Sequence, residues 1–131
     1  MKIKEREKEN CEKLVESLLE NYNTAMFNKD KLGGYYLKEL LPEIKADSDE
    51  DTIMECLNYS VESLKEYPKK GQMYYDIIKN LFMESRTMNS RELAKKYDMS
   101  VASIYSYKAS AVQIISQIFS VAVKTQGGVL V

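Results

Sequence analysis

The sequence has no histidine among its 131 residues. Histidine is the general base of many hydrolase triads, half of the ligand set in classical zinc fingers and the commonest transition-metal ligand, so these classes are disfavoured. The two cysteines, Cys11 and Cys56, lie far apart and each falls in an apolar helical stripe. This placement predicts reduced core residues rather than a disulfide or a metal pair. We therefore expect no enzymatic activity, no cofactor and no metal site.

Helix-breaking residues are also scarce, since the chain has two prolines and five glycines. β-Branched residues do not alternate with polar ones over the length of a strand, so the chain is expected to be all-α. No apolar run approaches the roughly 18 residues that a membrane span needs. The amino terminus, "MKIKEREKEN", is too charged for a signal peptide. These features predict a cytoplasmic protein with no membrane partner.

Charge is divided unequally between the two halves of the chain. Residues 1–64 hold nine basic and fifteen acidic side chains, a net charge of −6, whereas residues 65–131 hold ten and five, a net charge of +5. A basic half within a chain of net charge −1 is compatible with a nucleic-acid partner, and also with a solvated surface.

Amphipathic spacing predicts most of the helices. We expect a first helix over Lys4–Met26, ended by "NKDKLGG", then an apolar segment that Pro42 kinks or splits. Thr52 and Glu55 have the spacing of a capping box that starts the next helix. Gly71 marks a joint in "YPKKGQ", after which "MYYDIIKNLFME" is again helical.

The acidic cluster between these helices resembles part of a calcium loop. Asp47, Asp49 and Asp51 occupy positions one, three and five, but Thr52 stands where the loop needs glycine and Asn58 where it needs a bidentate glutamate. The cluster is therefore interpreted as a solvated helix start.

The stretch "SRELAKKYDMSVASIYSYK" has the spacing of a helix-turn-helix. Asn89 and Glu92 form an Asn-x-x-Glu start for the first helix, Ala94 is the small residue where two backbones cross, and Ser100 caps the second helix. Asp98 replaces the usual turn glycine and tolerates a left-handed backbone less comfortably. The apolar contacts of the motif fall on Leu93, Tyr97, Met99, Ile104 and Tyr107.

If the motif is real, the second helix would read bases in the major groove of duplex DNA through hydroxyls and small apolar groups. The predicted base-reading residues are Ser100, Val101, Ala102, Ser103, Tyr105 and Ser106. Nearby basic side chains would bind phosphates. They are Lys69, Lys70, Arg86, Arg91, Lys95, Lys96 and Lys108. The alternative is a tight corner between two packed helices with no role on DNA.

The second helix continues beyond the motif as an apolar stripe at heptad spacing. The stripe comprises Ile104, Tyr107, Ala111, Ile114, Ile118 and Val121. It is too broad to face water, so it either packs on the first helix of the same chain or pairs with a second copy. A homodimer is the expected state of a binder with one small reading helix.

These features predict an all-α helical bundle with a carboxy-terminal helix-turn-helix and a long final helix. Residues 1–67 would form an acidic helical region that supports or oligomerises the protein. Residues 72–124 would form the DNA-binding region, and residues 125–131 a flexible tail.

Residues 74–119 resemble the carboxy-terminal half of the ArpU-like regulators of phages and prophages of Gram-positive bacteria. The resemblance lies in an aromatic-rich helix, a polar link, an apolar helix and a serine-led helix that runs into a long apolar one. In the serine-led part it rests on Ser100, Tyr105, Tyr107, Lys108, Ala109 and Ala111. The arrangement is also similar to the fourth region of sigma factors, which reads promoter DNA.

The resemblance implies a transcriptional regulator of late phage or lysis genes. Two alternatives stay open at this point. One is a DNA-packaging protein like a phage small terminase subunit, and the other is a helical interaction module that contacts RNA polymerase or sigma factor without binding DNA.

Overall fold

A computed structural model describes residues 2–126, with side chains from residue 7 onward. This part of the chain is all-helical and contains no strand, which confirms the predicted fold class at that level. None of its helices is long and apolar enough to cross a membrane. The α-helices are α1 (Lys2–Glu20), α2 (Tyr22–Leu32), α3 (Leu37–Leu40), α4 (Glu50–Ser63), α5 (Gly71–Ile78), α6 (Ser90–Lys96) and α7 (Val101–Thr125).

The single first helix predicted over Lys4–Met26 is wrong, because the chain breaks at Asn21. The backbone there leaves helical geometry, at φ −102° and ψ 7°, and the Asn21 side-chain amide donates to the Ser17 carbonyl at 2.9 Å. The same carbonyl also accepts from the Asn21 backbone amide at 3.1 Å, and a side chain that shares a helical acceptor in this way favours a bend over a straight helix. Helix α2 then runs past Met26 and stops at Gly33, which adopts the left-handed backbone that ends many helices.

The predicted break at Pro42 is confirmed, since α3 is a single turn that ends before it. The predicted capping box at Thr52 and Glu55 is wrong. Asp49 caps α4 instead, and its carboxylate accepts from the Asp51 amide at 3.1 Å and from the Thr52 hydroxyl at 2.8 Å. These hydrogen bonds, the one from Thr52 above all, lower the pKa of Asp49. The acidic cluster is thus built into the start of α4, where the helix dipole favours negative charge.

The main core is formed where α7 packs against α1 and α4. Ile115 and Phe119 of α7 are fully buried in it. The predicted stripe on α7 is divided: Ile104 and Ala111 are buried, whereas Val121 is 66% exposed. Tyr107, Ile114 and Ile118 are partly buried. The stripe thus packs within the chain along only part of its length.

Both cysteines are free thiols, as the sequence predicted. Cys56 is buried in the main core, and the half-buried Cys11 thiol donates to the Ser116 carbonyl at 3.4 Å. Burial raises the pKa of both thiols. Each therefore behaves as a small core residue with little thiolate character.

A second, smaller core lies under α5, α6 and the start of α7. Its buried members are Ile77, Leu93, Ala94 and Ile104. Helix α5 reaches this core after a tight joint, because a Cβ added at Gly71 would collide with the Leu64 carbonyl oxygen. Since α7 contributes to both cores, the position of its first turns is determined by α5 and α6 on one side and by the rest of the bundle on the other.

Candidate nucleic-acid interface

Helix α6 begins with the predicted capping box. The Asn89 side-chain oxygen accepts from the Glu92 amide at 2.8 Å, and the Glu92 carboxylate accepts from the Asn89 amide at 3.0 Å. Two amides that a helix start leaves without partners are satisfied in this way. The start of α6 is therefore sharply defined by residues on its own first turn.

The turn between α6 and α7 is a Schellman motif. The Asp98 amide donates to the Lys95 carbonyl at 3.3 Å, and the Met99 amide donates to the Ala94 carbonyl at 2.9 Å. Asp98 has φ 52°, so it adopts the left-handed backbone that the turn requires and that glycine usually supplies. Ser100 then caps α7, with its hydroxyl oxygen accepting from the Ser103 amide at 3.0 Å. The predicted cap and the predicted left-handed position are both confirmed.

Apolar contacts hold the two helices together where the sequence placed them. Leu93 and Ile104 are fully buried, and Ala94 is 7% exposed. Tyr97 and Met99 pack against the same cluster, as does Tyr107, whose ring centroid lies 5.6 Å from that of Tyr74 on α5. Tyr107 is thus a packing residue between α5 and α7.

The opposite side of α7 is open to solvent. Of the predicted base-reading residues, Ser100, Val101, Ala102, Tyr105 and Ser106 are exposed, and Ser103 is half-buried. The Ser103 hydroxyl is already bonded to that of Ser100 at 3.0 Å. Helical spacing extends the open side to two residues that were not predicted. We call the resulting row the exposed strip: Ala102, Ser106, Ala109 and Gln113.

A shallow depression runs along one side of the exposed strip, between α7 and the start of α5. It is referred to below as the Lys70 flank, and its lining residues are Lys70, Tyr74, Ala102, Ser103, Ser106, Tyr107 and Ser110. The Lys70 ammonium lies 5.2 Å from the centre of the Tyr107 ring. Of the residues predicted to bind phosphate, Lys70 is the one that lines this side of the first turns of α7.

A second depression lies on the other side of the first turns of α7. Val101 and Tyr105 line it together with the start of α6 and the loop before it, including Arg91 and also Glu92, whose carboxylate accepts from the Asn89 amide. Arg91 is exposed. The first turns of α7 are thus bordered by a cation on each side.

Most of the predicted phosphate-binding side chains are exposed and available. Those at the turn, Lys95 and Lys96, occupy the last turn of α6, and the Lys96 ammonium lies 5.6 Å from the centre of the Tyr97 ring. Among the residues that the structure describes, six of the seven have no ion-pair partner. They are Lys69, Lys70, Arg86, Arg91, Lys95 and Lys96.

Lys108 differs from these six. Its ammonium lies 2.9 Å from the Glu16 carboxylate of α1 and 5.5 Å from the centre of the Phe82 ring, and its side chain is 24% exposed. The structure thus places it in a contact between α7 and α1, with its charge already balanced.

Acidic side chains of α1 lie beside the exposed strip, and local sequence patterns did not predict this. Glu9, Glu12 and Glu16 of α1 line a depression with Ala109 and Gln113. Their spacing of three and four residues places them on one face of α1, which is visible in the sequence. That this face lies beside α7 depends on tertiary packing, which local patterns do not report. Lys13 and Lys108 line the same depression, and Lys108 is paired with Glu16, so the excess of negative charge on this side of α7 is small and comes from Glu9 and Glu12.

Part of the predicted apolar stripe borders a different depression, at the far end of α7. Ile118 and Val121 line it together with Cys56 and Tyr59 of α4. Tyr59 is 62% exposed. The stripe therefore contributes to the core in its first half and to an open apolar surface in its second.

Comparison with protein-family models, with curated protein sequences and with solved structures returned no match to this chain.

Proposed function

We propose that the protein is a sequence-specific regulator of transcription that binds duplex DNA, with α6 and α7 acting as its helix-turn-helix. The proposal rests on the residues that surround the first turns of α7. Its first turns present small polar and apolar side chains to solvent and lie between exposed cations on both sides. A helix in the major groove has a sugar-phosphate backbone on each side of it, so this arrangement suits that position.

The proposed reading surface is short. Val101 and Ala102 suit contact with a thymine methyl group, and Ser106 suits a hydrogen bond to a base edge. Apart from the Ser103 amide, which the Ser100 hydroxyl caps, the first amides of α7 point out of the helix start, where they can donate to a phosphate. On the side of α7 that faces α1, the carboxylates of Glu9 and Glu12 would repel the DNA backbone, so base reading is confined to the first turns of α7. The Lys70 flank on the other side has no carboxylate among its lining residues.

The regulated genes, the location, the oligomeric state and the protein partners are proposed from the sequence alone. The resemblance to ArpU-like regulators supports late phage or lysis genes as the regulated genes. A cytoplasmic location stays a prediction. The homodimer stays a prediction, as does contact with RNA polymerase or sigma factor. A palindromic operator would be direct evidence for two copies on one site.

Selection from a pool of random duplexes tests the proposal and returns the operator. We expect a defined sequence to be enriched, and the purified protein to bind it more tightly than a scrambled duplex of the same composition. Absence of duplex affinity at low salt would overturn the proposal and leave a protein-interaction module as the better interpretation. Ring-shaped oligomers that bind the selected DNA would instead indicate a packaging protein.

A matched pair of variants links the binding to α7. Ser106→Glu places a carboxylate on the exposed strip and should abolish binding to the selected duplex. Gln117→Glu makes a similar change at an exposed position on the same helix, roughly 16 Å further along at 1.5 Å per residue. We expect this control variant to bind like the wild type. Equal loss in both variants would contradict the assignment of the interface.

A further inference from the structure

Lys70 has an unusual backbone for an exposed lysine. Its φ is 62°, in the left-handed region, and its carbonyl accepts the Tyr74 amide at 3.0 Å in the first turn of α5. The neighbouring Gly71 must lie close against the Leu64 carbonyl oxygen, so the chain has little freedom to relax at this joint. The strained backbone places the Lys70 side chain over Tyr107 on α7.

The aromatic residues of this region orient the Lys70 side chain. Its ammonium is 5.2 Å from the Tyr107 ring centre, within cation-π range, and Tyr107 is itself packed against Tyr74. A hydrogen bond to the Tyr107 side chain raises the pKa of Lys70. The charge therefore lies beside α7, while the Lys70 side chain remains exposed to solvent.

Ser110 supplies a hydroxyl on the same side of α7. Serines within helices often donate back to a carbonyl of the preceding turn, as Ser60 does to Cys56 at 2.7 Å and Ser63 does to Tyr59 at 2.7 Å. In the part of the chain that the structure describes, the half-buried Ser110 hydroxyl makes no such bond. It is available as a donor at the edge of the Lys70 flank.

No acidic residue lines the Lys70 flank within the described residues, whereas glutamates line the opposite side of the exposed strip around Ala109. A cation and a free hydroxyl in a concave surface without carboxylates are suited to an anion. Hydrogen bonds from a cation and a hydroxyl are also the usual protein contacts to a DNA phosphate.

We propose that Lys70 and Ser110 together bind one backbone phosphate of the duplex, and that this contact sets the register of α7 in the groove. Tyr74 and Tyr107 act as positioning residues for Lys70. The inference rests on the proposed function, and it assigns a role to Ser110, which lies one helical turn beyond Ser106. Bases would be read by the first turns of α7, and this phosphate would determine which bases face them.

The test uses a series of duplexes of the selected sequence, each with one neutral methylphosphonate in place of a phosphate. Wild-type protein should lose affinity sharply at one position on one strand. Lys70→Asn removes the charge but keeps a residue that tolerates the left-handed backbone. This variant should bind all duplexes more weakly, and its slope of log K against log salt should be shallower by about 0.9. A methylphosphonate at that position should no longer reduce its affinity.

Ser110→Ala is the second variant, and it is compatible with the helix because alanine has the higher helix propensity. In this variant the methylphosphonate at the same position should reduce affinity less than it does in the wild type. The slope of log K against log salt should not change, because the substitution removes no charge. Lys45→Gln is the matched control. It removes an exposed lysine of the loop before α4 that is not among the predicted phosphate-binding residues and does not line the Lys70 flank, so the response of the wild type at that position should be retained.

The outcomes separate this inference from the proposed function. If wild-type protein binds the selected duplex but Lys70→Asn and Ser110→Ala keep the wild-type methylphosphonate profile, the phosphate contact is refuted and the DNA-binding proposal stands. If wild-type protein binds no duplex, both fail. Circular dichroism and thermal unfolding of each variant show whether it is folded before its binding is interpreted.

Discussion

Neutralising the two lysines at the end of α6 should reduce the salt dependence of DNA binding by a known amount. Lys95 and Lys96 are exposed and have no ion-pair partner in the described part of the chain, so Lys95→Gln with Lys96→Gln removes two charges without breaking a contact between elements. Each phosphate contact contributes about 0.9 to the slope of log K against log salt, so the slope should become shallower by about 1.8. Between about 50 and about 200 mM salt, the wild type should then lose roughly twelvefold more affinity than the variant.

Fluorescence anisotropy with a labelled duplex, repeated over that range of salt, measures both slopes. The loss of favourable interaction with the dipole of α6 costs about 0.3–1 kcal/mol per residue at low salt, so thermal unfolding must show that the variant is folded. Lys31→Gln with Lys45→Gln is the matched control, because Lys31 is exposed in the last turn of α2 and Lys45 is exposed in the loop between α3 and α4. A Lys95 and Lys96 variant with the wild-type slope would refute the assignment of these lysines to phosphate, whatever its affinity.

Three other changes test separate features. Glu9→Gln with Glu12→Gln removes carboxylates beside the exposed strip, so duplex affinity at low salt should rise roughly two- to tenfold, and unchanged affinity would show that α1 does not border the interface. Gly71→Ala should lower the free energy of unfolding in urea by about 1–3 kcal/mol, because its Cβ collides with backbone; an increase, as expected from helix propensity alone, would contradict the tight joint. Burial, with a hydrogen bond to Glu62, raises the pKa of Tyr75 to about 12 from its usual value of 10.0. The folded protein therefore holds this proton more tightly than the unfolded chain does. The contribution of Tyr75 to the free energy of unfolding is present in full below pH 10 and is lost as the pH rises from 10 to 12. The Tyr75→Phe variant should therefore lose less stability over that interval.

Features decided within one helical turn were predictable from the sequence. The Asn89 capping box, the Ser100 cap, the left-handed Asp98 and the end of α3 before Pro42 each depend on residues within a few positions of one another. The same kind of reasoning failed at the start of α4. Two acceptable caps compete there, and Asp49 brings more acidic residues into the first turn than Thr52 would.

The stripe on α7 shows why a heptad pattern was a poor guide to burial. In a helix of 3.6 residues per turn, a step of seven residues falls about 20° short of full turns, whereas a step of four advances about 40°. The buried line follows steps of four, through Ala111, Ile115, Phe119 and Val123. The heptad line through Ile118 diverges from it and reaches the open apolar surface.

Contacts between distant segments could not be predicted at all. Lys108 has the residue type and position of a phosphate ligand, yet it pairs with Glu16 because α1 packs beside α7. No local signal reports which helix will cover which, so the acidic residues beside the candidate interface were also missed. These tertiary contacts decide which of the basic residues remain available to a ligand.

Equilibrium binding of the wild-type protein to the selected duplex and to a scrambled one, across a salt series, tests the proposed function most directly. The proposal predicts measurable affinity for both at low salt, a steep loss of affinity as salt rises, and a preference for the selected sequence that persists when the nonspecific binding has been lost. A protein that binds neither duplex at low salt would contradict the proposal.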